Sequence, residues 1–135
     1  MDNITENNKL IAEFMGYVKN CTDKDFTFYT HPDGKGIIIQ SHYDCDRFIS
    51  HKLMEARGFI FNRSWDWLMP VVEKIESLGY SLEIKLTWCR IKQIENGSVI
   101  ILRWEEDITK IEAVYNVCVE FIKWYNEQNK NNESL

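Results

Sequence analysis

The sequence predicts an α+β protein: an antiparallel sheet of four to five strands with helices packed on one face. Three observations carry this. Tyr80-Ser-Leu-Glu-Ile-Lys-Leu-Thr-Trp88 alternates apolar and polar without a break, as a strand covered on one side does. Three other stretches, beginning near Thr5, Ser64 and Thr109, repeat their apolar residues at helical steps. Turn residues separate short β-branched runs at Pro32-Asp33-Gly34 and Asn96-Gly97.

In chain order, Thr5 caps a helix over about residues 5–18 that carries Leu10, Ile11, Phe14, Met15 and Val18, with Gly16 weakening its last turn. Residues 20–25 read as loop. Phe26–His31 and Ile37–Gln40 form a hairpin across the Pro32–Gly36 turn. Residues 41–57 suit a short helix capped by Asp44 or Asp46 and closed by Gly58, and Phe59-Ile60-Phe61 is an apolar fragment with strand character. Ser64 caps the next helix, whose stripe is Trp65, Leu68, Val72 and Ile75 and whose stop is Gly79; Pro70 inside it should kink the first turns or mark a later start. Asn96-Gly97 fits a two-residue type I′ turn leading into Val99–Trp104. Thr109-Lys-Ile-Glu112 is a capping box that opens a final helix to about Asn126, with Ile111, Tyr115, Cys118, Ile122 and Tyr125 as its stripe. Residues 1–126 read as one domain, and the polar tail 127–135 should fray.

Composition narrows the function. With 135 residues, 44% of them hydrophobic and five Trp, the chain can build a core. A net charge of −5 argues against general nucleic-acid coating, which needs a cationic surface. No run of 18 apolar residues and no basic, apolar leader occurs, so neither a membrane partner nor secretion is expected. The four cysteines form no C-x-x-C pair, which fits reduced thiols in a cytoplasmic protein.

Few residues point to chemistry. A two-residue turn at Asn96-Gly97 sets Arg90 opposite Arg103 and Lys92 opposite Ile101. Like charges facing one another are unfavourable, so a bound phosphate or carboxylate would explain them, because guanidinium forks match such oxygens. A β-bulge near Trp88–Arg90, or ion pairs with Glu83, Glu105 or Glu106, is the competing explanation. Trp67 and Trp104 are the candidates to stack a base over those cations, while Trp65 and Trp88 match core positions. Trp124 and Phe121 stand off the stripe of the last helix and suit a dimer face, hence a homo-oligomer. His42, Asp44, Cys45, Asp46 and His51 are potential metal ligands, but their spacing matches no known metal site, and no catalytic motif occurs. No cofactor, metal or enzymatic activity is therefore expected, and a small metal-dependent enzyme using His42, Asp44, Asp46 and His51 is the third alternative.

The segments Ser64-Trp-Asp-Trp-Leu-Met-Pro-Val-Val-Glu-Lys-Ile-Glu-Ser-Leu-Gly79 and Lys110-Ile-Glu-Ala-Val-Tyr-Asn-Val-Cys-Val-Glu-Phe-Ile-Lys-Trp-Tyr-Asn126, with Leu10–Gly16, resemble small accessory proteins of Bacteroidetes-type phages and prophages. The resemblance covers about 40 residues and implies a context, not a reaction: an accessory protein that counteracts host defence by binding. On it rest two expectations. The first is sequestration of a small anionic ligand, such as a cyclic or linear nucleotide signal, by Arg90, Lys92, Arg103, Trp67 and Trp104. The second is inhibition of a host defence protein through an exposed aromatic face.

Overall fold

The computed structural model describes residues 4–22, 26–32, 37–41, 59–86, 88–104 and 108–133. It is α+β, with three helices and six strands among them. The expected single sheet of four to five strands is instead two three-stranded antiparallel sheets, ordered β1-β2-β3 and β4-β5-β6. The chain divides into two compact units, Met1–Ile60 and Phe61–Leu135. The expected short helix over 41–57 lies outside the described residues.

In the first unit, α1 spans Ile4–Met15 and ends at Gly16, whose φ of +94° suits a glycine at a helix stop. The chain then enters β1 (Val18–Thr22) where a loop is expected, because Gly16 ends the helix instead of weakening it from within. β1 pairs with β2 (Phe26–Thr30), and β2 with β3 (Ile37–Ser41), the hairpin that the turn residues predict. The buried face of α1 is Thr5, Asn8, Ile11 and Ala12; of the expected stripe, Ile11 is buried, Leu10, Phe14 and Met15 are half-buried, and Val18 lies beyond the helix in β1. Asn8 fits this buried face: its Nδ2 donates to the Phe59 carbonyl at 2.9 Å, so a polar side chain is satisfied inside. Phe59 itself is buried and meets Tyr17 and Tyr29 edge-on. It lies in no strand.

In the second unit, α2 (Trp65–Ser77) begins after Ser64, as its cap position predicts, although the Ser64 side chain makes no capping hydrogen bond. The helix runs through Pro70. Proline there cannot donate to the Asp66 carbonyl and its ring crowds that oxygen, but Asp66 lies on an exposed first turn where water can replace the bond. The buried stripe is Leu68, Val71, Val72 and Ile75; Trp65, one turn earlier, runs off the end of that stripe and is 38% exposed. Gly79, at φ +99°, closes the helix.

β4 (Tyr80–Lys85), β5 (Trp88–Gln93) and β6 (Val99–Trp104) form the second sheet. The unbroken 80–88 alternation is therefore not one strand: Lys85 pairs with Trp88 across a two-residue turn, and Leu86 adopts φ +54°. The β5–β6 connection is also not the expected type I′ turn. Gln93 N–H donates to the Ser98 carbonyl at 2.9 Å and Gly97 N–H to the Gln93 carbonyl at 2.8 Å, so four residues, Ile94–Gly97, make the loop. Only Gly97 has positive φ, whereas type I′ demands it at both central positions. Asn96 acts through its side chain, accepting from Ser98 N–H at 2.9 Å.

α3 (Lys110–Glu133) starts at the Thr109 cap, where the Thr109 hydroxyl accepts from Glu112 N–H at 3.2 Å and donates to Glu112 Oε1 at 3.0 Å. It continues through the tail expected to fray. α3 packs on β5 and β6, and α2 on β4 and α3. Cys89 and Ile91 alternate into this helix-covered side of the sheet, together with Val114, Cys118, Phe121 and Ile122. Phe121, placed by its spacing on a dimer face, is fully buried. Its ring lies 4.9 Å from Tyr80 and stacks on Tyr125, because the apolar face of α3 is wider than a single stripe.

Candidate functional site

Register decides which candidate residues meet. The four-residue loop shifts the β5–β6 pairing, and a bulge between Ile91 and Lys92 shifts it again. Arg103 consequently stands opposite Cys89, and Arg90 opposite Leu102. Directly opposed residues share a face and neighbours along a strand alternate. The two arginines expected to face one another therefore lie on opposite faces of the sheet. Arg103 points to the helix side, where its Nη1 pairs with Glu120 of α3.

The open face keeps the other two cations. Arg90 and Lys92 are both half-buried and both converge on Glu83 of β4. Arg90 Nε donates to Glu83 Oε2 at 2.6 Å, and Lys92 Nζ pairs with Oε1. Trp88, given to the core by its spacing, lies on this same face, with the Arg90 guanidinium 5.5 Å from its ring centre. Trp67 stands elsewhere, edge-on to Phe61 at 5.3 Å on the helix α2. Trp104 occupies the β6 position opposite Trp88. Trp124 packs beside Tyr80 and Phe121. Of the five candidate ligand-binding residues, the structure brings Arg90 and Lys92 together; by register position Trp104 shares their face, while Trp67 and Arg103 do not.

Glu83 is the residue that spacing alone leaves as a mere alternative partner. Lys92 and then Arg90 hold its carboxyl below the usual carboxylate range. A carboxylate lowered in this way contributes stability above its unfolded pKa and loses it as pH falls through the folded value. Acid titration followed by carboxyl NMR should therefore give Glu83 a midpoint below that of an isolated glutamate, and a Lys92→Met variant should move it back up.

The β4–β5 turn holds a second unusual residue. Leu86 sits in the left-handed region and is 77% exposed. That conformation costs a non-glycine residue about 1 kcal/mol or more, and the exposed side chain gains little burial in return. Leu86→Gly should therefore raise the melting temperature by a few degrees in a thermal scan. A drop would mean that the leucine holds the turn by contacts of its own.

His42, Asp44, Cys45, Asp46 and His51 lie outside the described residues. Among the described residues, no group of His, Cys, Asp and Glu could hold a metal ion, and no helix is long and apolar enough to cross a membrane. No family model matches the chain, and neither does any curated protein or solved structure.

Proposed function

We propose that this chain is a non-enzymatic binding protein that grips a small anionic ligand on the open face of the β4-β5-β6 sheet, with Arg90 and Lys92 as the cations. The observation behind this reading is their convergence on one carboxylate. Two cations at alternate positions of β5 already share an oxyanion, and Trp88 backs the guanidinium. A phosphate carries more charge and more acceptor oxygens than Glu83 and competes for the same donors. A nucleotide adds a base that an aromatic neighbour can stack. The resemblance to phage accessory proteins supplies the role: sequestering a nucleotide signal of host defence inside an infected bacterium. Calorimetry against a panel of linear and cyclic nucleotides tests it. Binding in the micromolar range, weakened at least tenfold by Arg90→Ala, supports the reading; no heat from any nucleotide at millimolar concentration removes it.

A second reading, inhibition of a host protein, draws on Leu86. An exposed apolar side chain on strained backbone, beside the 38%-exposed Ile84, has its cost unreturned within the fold and suits an anchor in a partner's apolar pocket. Loss of host-protein capture on Leu86→Gly, with thermal stability raised, would favour it over the anion reading.

A further inference from the structure

We propose that β6 pairs antiparallel with β6 of a second copy of this chain, about a two-fold axis through Leu102, so that two three-stranded sheets join into one of six strands. In the order β4-β5-β6, β6 is an edge strand of its sheet. Edge strands are normally blunted by lysines, proline or a bulge. Val99-Ile-Ile-Leu-Arg-Trp104 has no lysine and no proline, and the bulge sits at its Val99 end, leaving Ile101–Trp104 in regular register. Val99 is 47% exposed and Leu102 63% exposed. The strand's one charge, Arg103, is drawn to the helix side by Glu120.

That neutralisation selects the occupant. A charged partner strand gains no ion pair along this edge, whereas a β-branched strand whose single charge is already paired on the helix side is matched there, and the chain's own β6 is one. A two-fold axis perpendicular to the sheet sets a residue opposite its own mate. An axis at Arg103 would oppose two guanidinium groups and is unfavourable. An axis at Leu102 opposes Leu102 to Leu102, Arg103 to Ile101 and Ile100 to Trp104, with no like charges facing. It also covers Leu102, the most exposed apolar side chain among the described residues of the strand. The two Arg90 residues would then share one open face about 14 Å apart, three strand spacings.

Sedimentation velocity on the full chain, with Leu102→Glu and Leu102→Lys, tests this. The wild type should sediment as a dimer at roughly 100 µM. Each variant alone should be a monomer, because it opposes like charges on the axis. An equimolar mixture should recover the dimer, which also shows that both variants remain folded. A monomeric wild type overturns the proposal. So does a dimer that survives both substitutions, or a mixture that stays monomeric.

Discussion

Phe121→Ala is expected to destabilise the protein by about 3–5 kcal/mol. The ring is fully buried on α3, where it meets Tyr80 edge-on and stacks on Tyr125. Truncation removes the transfer free energy of the ring and opens a cavity between helix and sheet that these neighbours only partly fill. Since a domain of this size is stable by roughly 5–15 kcal/mol, the loss is a large share of the total. Urea unfolding should show a lower midpoint with a similar slope. If Phe121 served a dimer face, as its place off the main stripe suggests, the variant would instead lose association and leave the monomer's stability within about 0.5 kcal/mol of wild type.

The two described thiols of the second unit should be close to inert in the native state. Burial pushes Cys89 up to about 12, and burial with the nearby Cys89 pushes Cys118 higher still. Both are fully buried. A thiol near 12 is about 0.01% thiolate at pH 8, against some tens of per cent for a free cysteine, and the thiolate is the reacting form. In a Cys21→Ser/Cys45→Ser variant, modification by a disulfide reagent should be at least about 1,000-fold slower in native buffer than in denaturant. Stoichiometric modification within seconds under native conditions would show that the β5–α3 layer opens readily.

Much of this architecture is readable from the sequence. Ser64, Gly79 and the Thr109–Glu112 box mark helix ends because capping chemistry is local. The Phe26–Ser41 hairpin follows from its turn residues. The β4–β5 turn escapes because Leu86-Thr87 has none of the usual Gly, Asn or Asp. A signal was nonetheless present: apolar positions fall on even numbers from Tyr80 to Trp88 and on odd ones at Cys89 and Ile91, and a two-residue turn produces that change of parity. The buried Asn8 could not be foreseen, since its partner is a backbone carbonyl 51 residues away.

The candidate site was half legible for a related reason. Arg90 and Lys92 share a face whatever the register, because they stand two apart on one strand. The position of Arg103 depends on a loop of four residues rather than two, which moves the register by two and keeps each side chain on its face, and on a one-residue bulge, which carries Arg103 to the other face. Glu83 was visible only as a competitor for the arginines. In the structure it occupies the place between Arg90 and Lys92 that an anionic ligand would take.

That last relation gives the most direct measurement: the affinity of wild type and of Glu83→Gln for the same nucleotide panel, by calorimetry at low salt. Removing the competing carboxylate while keeping its shape should tighten binding of the preferred nucleotide by about tenfold or more, and an added Arg90→Ala should abolish the gain. If Glu83→Gln binds none of the nucleotides, or if Arg90→Ala leaves its affinity unchanged, the open face of this sheet does not hold an anion.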